Sequence, residues 1–253
     1  MSDSTKNFSG RAEDYTAGRP TYAKEFIDYL YGTGGLTEAS VIADIGSGTG
    51  KFAKQLLEKG SKVFCVEPND DMRNTAIKEL QSFVGFTAVS GTASDTTLSA
   101  VPVDFVTTAQ AFHWFDVEEF QKECKRILKP NGTVILIWNM RDMDAELNRA
   151  GHAIYKTFCP RFKGFGGGIE KDDERIRKFF SDKYERLVFE NPLFYDKATF
   201  IKRSLSGSYS LKEGDGQYEE YITALKKLFD KYATNGILTM PNQTVAYIGK
   251  LEK

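Results

Sequence analysis

VIADIGSGTGKFA, residues 41–53, is the stretch on which the reading of this chain turns. An apolar run ends at Asp44, glycines follow at 46, 48 and 50, and helical spacing resumes at Lys51. Three consecutive apolar or small residues before an acid, with Ile45 after it, fit a buried parallel strand. Glycine at alternate positions removes side chains and admits positive φ, so backbone can approach a ligand closely. The pattern therefore predicts strand, bare loop and helix, with a ligand at the loop.

The alternation continues on either side. TYAKEFIDYLY (21–31) repeats apolar residues at helical spacing, and Gly32, Gly34 and Gly35 end that helix. A helix over 51–58 is closed by Gly60. KVFCVE (62–67) reads as a second strand and DDMRNTAIKELQ (70–81) as a helix whose acidic start suits the helix dipole. FTAVSG (86–91) and VDFVTTA (103–109) follow as strands. VEEFQKECKRIL (117–128) is an amphipathic helix stopped by Pro130-Asn131-Gly132, and TVILIWN (133–139) is a fifth strand. Strand and helix in regular alternation predict a doubly wound parallel sheet, helices on both faces. Beyond residue 140 the pattern loosens: a helix over 144–158, a glycine-rich break at 164–168, a helix over 172–180, a sixth strand at 184–190, a helix YEEYITALKKLFDKY (218–232) and a last strand TVAYIGKLE (244–252).

The totals narrow the function classes. The chain has 253 residues with 34 Lys+Arg against 35 Asp+Glu, so no charge excess marks a nucleic-acid or membrane partner. Cys65, Cys124 and Cys159 are scattered, with no CxxC pair and no Cys/His cluster for a metal. The polar N-terminus lacks the apolar stretch of a signal peptide. A reduced cytoplasmic setting is the expectation.

In a doubly wound sheet ligands bind at the carboxyl ends of the strands, beside the first strand. Three ligands compete for the loop. A Walker A phosphate loop needs Gly four residues before Gly-Lys and Ser or Thr after it; here Ile45 and Phe52 stand there. The dinucleotide pattern GxGxxG, counted from Gly46, would put its last glycine on Lys51. What remains is D-x-G-x-G-x-G, Asp44 to Gly50. Glu67 ends the second strand about 20 residues past the first glycine, where an acid accepts hydrogen bonds from a ribose diol. That feature alone also suits a nicotinamide cofactor.

The Asp44–Gly50 pattern resembles the first motif of the class I S-adenosylmethionine-dependent methyltransferases. The resemblance implies a Rossmann-like three-layer α/β fold: a mostly parallel seven-stranded sheet with an antiparallel C-terminal strand, plus a small helical lid. It implies that Gly46, Ser47, Gly48, Thr49 and Gly50 pass under the methionine part of the cofactor, that Asp44 holds its amino group, and that Glu67 with Pro68 meets the ribose. Met72 matches an apolar adenine-covering position and equally suits first-turn packing. SGTASDTTL (90–98) is similar to the segment at the adenine edge, placing Thr92 and Ala93 there, with Ser94 where the family carries an acid. AQAFHWF (109–115) resembles the strand-four exit of a small-molecule branch related to the trans-aconitate methyltransferases, with Ala109 and Gln110 at the cofactor. AEDYTAGRPTY (12–22) and LKPNGTVILIWN (128–139) are familiar from the same branch. On this resemblance Tyr15 and Arg19 belong to an arm that folds over the cofactor, and Arg19 pairs with its carboxylate.

The implied organisation is one domain: an arm and helix (1–35), a cofactor-binding core (36–140), helices with the sixth strand (141–192), a lid (193–236) and a final antiparallel strand (237–253). The implied reaction is methyl transfer to a small molecule, at a carboxylate or hydroxyl oxygen, yielding S-adenosylhomocysteine, by a monomer or homodimer. His113 is the candidate base, with a corner that packs the loop as the alternative. His113, Trp114, Arg203, Ser206 and Tyr209 are the candidate substrate contacts; FIKRSLSGSYS (200–210) also suits an ordinary helix end with a Ser-Gly turn. His152, within a helical pattern, reads as structural or exposed. Two other classes stay open: a nicotinamide-dependent oxidoreductase, and a cofactor-binding module without turnover. A nucleic-acid methyltransferase is disfavoured, since the strand-four exit lacks an Asn/Asp-Pro-Pro-aromatic run and Cys159-Pro160 reverses the Pro-Cys order. Adjacent Glu118 and Glu119 do not resemble the spaced pair of an arginine methyltransferase.

Overall fold

The computed structural model describes residues 20–98, 102–165, 169, 173–207 and 209–252. Phe8, Tyr15, Arg19 and residues 166–168 of the glycine-rich break lie outside them. The chain forms two compact units: Met1–Trp138, Gly168–Phe189 and Thr244–Lys253 make one, Asn139–Gly167 and Glu190–Gln243 the other.

The first unit is built on a seven-stranded sheet in the order β3-β2-β1-β4-β5-β9-β6. Its strands are β1 (Val41–Ile45), β2 (Lys62–Val66), β3 (Phe86–Val89), β4 (Val103–Ala109), β5 (Leu128–Arg141), β6 (Tyr184–Glu190) and, last in the chain, β9 (Asn242–Gly249). The sheet is mostly parallel, with the C-terminal strands antiparallel, as the alternation and the resemblance imply. The chain leaves β1 for β2 and β3 on one side, then crosses to β4 on the other. Reversal of strand order opens a crevice at the carboxyl ends of β1 and β4. In that register Asp44 faces Thr107.

Helices α1 (Lys24–Gly32), α2 (Lys51–Leu57), α3 (Asp70–Leu80), α4 (Val117–Ile127) and α6 (Glu174–Phe180) belong to this unit. Local chemistry sets their starts. Asn69 caps α3 by accepting from the Met72 amide at 3.0 Å, and Asp116 caps α4 through the Glu118 and Glu119 amides. Phe26, Leu30, Phe52, Leu56, Ile42 and Ile135 are buried together in one core. Each such side chain contributes ~1.5–3 kcal/mol by leaving water. Thr244 of β9 accepts a hydrogen bond from the Ala23 amide at 2.9 Å, fixing where α1 begins.

The fifth strand is longer than its apolar run. The helix before it ends at Ile127 and β5 starts at once, with Pro130-Asn131-Gly132 inside it. Leu128 pairs with Val103 and Thr133 with Phe105, so β5 advances five residues while β4 advances two. The Pro-Asn-Gly run is looped out as an irregularity, which turn residues allow without ending the pairing.

The second unit holds α5 (Glu146–Phe158), α7 (Lys197–Leu205), α8 (Tyr218–Tyr232) and a two-stranded antiparallel ribbon of β7 (Leu193–Tyr195) and β8 (Leu238–Met240). Helix α8 buries Tyr221, Leu225 and Leu228 on one face against Leu147, Tyr155 and Phe200. The ribbon is absent from the sequence reading because three residues carry too little periodicity to register as a strand.

No helix among the described residues is long and apolar enough to cross a membrane. The three cysteines are free and buried, and burial pushes the Cys65 and Cys124 thiols well up.

Candidate functional site

The glycine loop adopts the conformation its composition predicts. Gly46, Gly48 and Gly50 have φ of 67°, 57° and 77°. The amides of Gly46 and Ser47 both donate to the Val66 carbonyl, at 2.9 and 3.2 Å, which ties the loop to the end of β2. A Cβ on Gly46 would stand 2.7 Å from Ala111 Cβ, and one on Gly50 2.4 Å from Leu80 Cδ1. A Cβ on Gly48 would meet nothing within 4 Å. Two glycines are therefore required by packing, and the middle one presents open backbone. Thr49 is buried between them.

Two acids flank this loop. Asp44 is fully buried; Thr107 donates to its Oδ1 at 2.8 Å, while Oδ2 is buried and has no hydrogen-bond partner among the described residues. Burial pushes its carboxyl up to about 7, the Thr107 hydroxyl opposes the shift and the Glu67 charge adds to it. Glu67 follows β2 and accepts from the Gly48 amide and the Asn69 amide, each at 2.9 Å. Burial pushes its carboxyl up, against the pull of those two amides. One glutamate thus clamps the bare Gly48 and the start of α3. An unsatisfied buried carboxylate oxygen is a high-cost feature. Such an oxygen can accept a further hydrogen bond.

The neighbouring candidates lie as follows. Pro68 links Glu67 to the Asn69 cap, and Met72 is buried in the first turn of α3. Thr92 and Ala93 lie in the loop after β3; the Thr92 amide donates to the Asp95 carbonyl and the Asp95 amide to Thr92 Oγ1, folding the segment on itself. Glu123 anchors that loop by accepting from the Thr96 amide at 2.8 Å. Ala109 ends β4, and Gln110 takes φ of 61°, unusual for a residue with a side chain. Its amide donates to the Ile137 carbonyl at 2.8 Å.

Phe112, His113 and Trp114 form one 3-10 turn. Phe112 is buried against Phe120, Trp138 and Phe179, with ring centroids 5.4–6.2 Å apart. The His113 ring lies 4.8 Å from that of Trp114 at a tilt of 45°, Trp114 is 51% exposed, and the Arg175 guanidinium donates to the His113 carbonyl. Phe112 is thus the packing residue of this corner, His113 is half-buried and Trp114 is exposed.

In the second unit Arg203 and Ser206 are joined, as their spacing at the end of α7 allows: Arg203 Nη1 donates to Ser206 Oγ at 3.1 Å. Tyr209 stacks edge-on with Tyr155 at 5.4 Å and with Phe162 at 4.9 Å. His152 is half-buried and packs against Phe162 and Phe165. Arg141 escapes the sequence reading. It closes β5 and lies over the Phe165 ring, 4.0 Å from its centroid. The first charge after the apolar run, three residues beyond Trp138, was the available signal.

A doubly wound domain with a buried acid, a three-glycine loop and a second acid one strand away is the frame of an adenosyl- or nucleotide-binding protein. Residues 43–136 match a family model described as a methyltransferase domain. An uncharacterized methyltransferase-like protein of Schizosaccharomyces pombe is 36% identical over 138 residues, 54% of this chain and 53% of that protein. An uncharacterized methyltransferase of Oceanobacillus iheyensis is 33% identical over 152 residues, 58% of this chain and 68% of that protein. The structure of a Thiobacillus denitrificans SAM-dependent methyltransferase in complex with S-adenosyl-L-homocysteine is similar in fold, with a TM-score of 0.51 and 14% identity, covering 95% of this chain and 97% of that one. The chain belongs to the methyltransferase family. It spans about half the length of several curated relatives it matches, the fission-yeast protein among them.

Proposed function

We propose that the protein is an S-adenosylmethionine-dependent methyltransferase acting on a small-molecule acceptor, at a carboxylate or hydroxyl oxygen. The observation that carries the cofactor is the orphaned Oδ2 of buried Asp44 beside the open backbone of Gly48. The residues fit the group: Asp44 receives its ammonium, Glu67 its ribose diol, and the loop Gly46-Ser47-Gly48-Thr49-Gly50 its methionine chain. Pro68, Met72, Thr92, Ala93, Ala109 and Gln110 complete the adenosyl surroundings in this reading. The cofactor, when bound, supplies an electrophilic methyl group on a sulfonium. The chain's part is to position acceptor and cofactor and to exclude water. Such alignment lowers a barrier by roughly 7–11 kcal/mol. A carboxylate acceptor arrives ionised and needs no base. A hydroxyl needs one, and His113, beside exposed Trp114, is the residue proposed to take that proton.

The preference for a small acceptor rests on the likeness of Ala109–Phe115 to the trans-aconitate branch and on balanced charge. Calorimetric titration with S-adenosylmethionine, S-adenosylhomocysteine and NAD tests the cofactor: micromolar binding of the sulfur compounds alone is expected, and binding of NAD alone overturns the reading. Glu67→Ala should weaken that binding by ~1–3 kcal/mol, the penalty for hydroxyls left unpaired; unchanged affinity removes Glu67 from the ribose. A panel in which amines turn over and carboxylates and hydroxyls do not rejects O-methylation.

A further inference from the structure

Arg73 stands in the first turn of α3, directly after buried Met72, and its guanidinium reaches back to the turn that carries Glu67. Nη1 donates to the Glu67 carbonyl at 2.8 Å and to the Pro68 carbonyl at 3.3 Å. Nη2 pairs with the Asp70 carboxylate. The Arg73 side chain is 17% exposed and that of Asp70 77%, so the guanidinium is mostly shielded while its acid partner faces solvent. An ion pair so exposed contributes little by itself. It orients a planar fork whose other arm holds the two carbonyls. All of these residues belong to the first unit.

Those carbonyls matter because β2 stops at Val66. The Glu67 amide still donates to the Val89 carbonyl at 3.0 Å, and the Glu67 carboxylate accepts from the Gly48 and Asn69 amides. Its carbonyl lies past the end of the strand, and a buried backbone carbonyl needs a donor. Arg73 supplies that donor, so amide, carboxylate and carbonyl of Glu67 are each fixed. The start of α3 has its own cap: Asn69 accepts from the Met72 amide, and the Arg73 amide donates to the Asn69 carbonyl. What the Arg73 side chain adds is a hold on the two residues before that cap. Charge acts in the same sense. Burial pushes the Glu67 carboxyl up, and the Asn69 and Gly48 amides and then the Arg73 charge oppose the shift. The other acids near it are Asp44 on β1, pushed up by burial and by the Glu67 charge, and Asp70, paired with Arg73.

We propose that Arg73 is a positioning residue of the cofactor site: by bridging the Glu67 and Pro68 carbonyls it holds the Glu67 carboxylate where the ribose diol of an adenosyl ligand meets it. The inference rests on the reading of Glu67 as the acceptor for that diol. Arg73 touches no ligand; it acts through Glu67. A carboxylate whose orientation is set beforehand loses less freedom when the diol arrives, and that saving appears as affinity. A guanidinium spans two carbonyls and a carboxylate at once, whereas a lysine ammonium keeps the charge without the span. The charge and the span of Arg73 are therefore separable by substitution.

The test has one arm without ligand and one with it, on the full chain. Wild type is compared with Arg73→Gln and Arg73→Lys, each first shown to melt cooperatively. In isotope-labelled protein the Gly48 amide, bonded to Glu67 Oε2 at 2.9 Å, reports by its chemical shift when Glu67 takes up a proton. Arg73→Gln should move that titration to higher pH, because a cation favouring the ionised form is gone; Arg73→Lys should leave it near wild type. The second arm is calorimetric titration with S-adenosylhomocysteine. Arg73→Gln should lose about three- to tenfold in affinity, the range of one hydrogen bond, and the loss should grow as pH falls toward about 5.5 and Glu67 protonates. Arg73→Lys should recover part of the affinity, with a loss that does not grow in acid. Asp44 titrates in every variant, so the ratio of wild type to variant removes it. In a Glu67→Gln background Arg73→Gln should cost under about twofold. A loss that is flat with pH and undiminished in that background, or a Gly48 titration indifferent to Arg73→Gln, makes Arg73 a staple of the fold and overturns the proposal. Where Arg73→Gln does not fold, Arg73→Lys takes its place in the Glu67→Gln cycle: a loss that vanishes there supports the proposal and one that persists overturns it. If no adenosyl ligand binds while the Gly48 amide still follows Arg73, the function proposed above falls and the link from Arg73 to Glu67 stands. Tight S-adenosylhomocysteine binding that Arg73→Gln leaves unchanged does the reverse.

Discussion

The two units present opposite kinds of polar chemistry. In the first, carboxylates are held by hydrogen bonds: Glu67 by the Gly48 and Asn69 backbone amides, Asp44 by the Thr107 hydroxyl. In the second, cations are held by side chains: Arg141 by the Phe165 ring, Arg203 by Ser206. A backbone-built site is tied to folding, because the groups that would meet a ligand also close a loop and start a helix. A side-chain site stands on a scaffold whose core, Tyr221, Leu225 and Leu228, lies elsewhere in the same unit. Substitutions at the glycines of the loop should therefore disturb stability together with binding, and side-chain substitutions in either unit should separate them.

The largest effect is expected at a pair of glycines with the same backbone. Gly50 and Gly236 have φ of 77° and 76°. A Cβ on Gly50 collides with Leu80 at 2.4 Å, whereas one on Gly236 meets nothing within 4 Å. Alanine at either position bears a left-handed penalty of roughly 1–2 kcal/mol. Only Gly50→Ala adds overpacking against buried Leu80, a further ~1–3 kcal/mol. Urea denaturation of both variants reads the difference. Equal losses would show that the loop gives way freely and that its glycines serve the ligand alone.

Next comes Asp44→Asn. The folded-state carboxyl titrates near 7, above its ordinary value, so its ionisation opposes folding. Wild-type stability should fall as pH rises from about 4 to about 7 and level off above that. Asparagine removes that slope and melts at the same or a higher temperature at pH 8. Ligand binding has the opposite sign. An ammonium beside Asp44 favours the ionised form, so S-adenosylhomocysteine affinity should rise toward pH 7, with a proton released, until the ligand's own amino group titrates near ~8. Asp44→Asn should lose that rise and ~10–100-fold in affinity, in line with one charged hydrogen bond. Calorimetry in buffers of different ionisation enthalpy counts the proton. Release that persists in Asp44→Asn assigns it to another group.

Tyr209→Phe should do less. It removes one hydroxyl and keeps the ring that packs on Tyr155 and Phe162. A melting temperature within a degree or two of wild type is expected, because the ring contacts remain. A large fall in stability would mean that the hydroxyl supports the fold, and the contrast between the units would weaken.

What the sequence showed follows the same division. The glycine loop, Asp44 and Glu67 lie on contiguous stretches whose spacing is set by one strand, one turn and the next strand, so position along the chain stands for position in space. The helix YEEYITALKKLFDKY carries a full apolar face and was equally plain. Arg141, Tyr155, Phe165, Arg203 and Tyr209 come from three separated stretches, and no period links them. Arg203, Ser206 and Tyr209 were visible because one helix end brings them together; Arg141 was not, since a strand-end arginine looks like any solvated charge. The short ribbon β7–β8 was lost for want of length, and the start of β5 was hidden by the looped-out Pro-Asn-Gly.

Gln110 offers the smallest effect and the sharpest separation. It sits at the carboxyl end of β4 with φ of 61°, its amide bonded to the Ile137 carbonyl. Glycine there relieves a left-handed penalty of roughly 1 kcal/mol and adds unfolded-chain entropy worth ~0.5–1 kcal/mol. The two nearly cancel, so Gln110→Gly should alter stability by no more than about 0.5 kcal/mol in either direction. If the strain is kept because the side chain meets a ligand, S-adenosylhomocysteine binding should still weaken severalfold. Unchanged binding in an equally stable variant would make the left-handed turn a property of the strand exit alone, and Gln110 would leave the cofactor site.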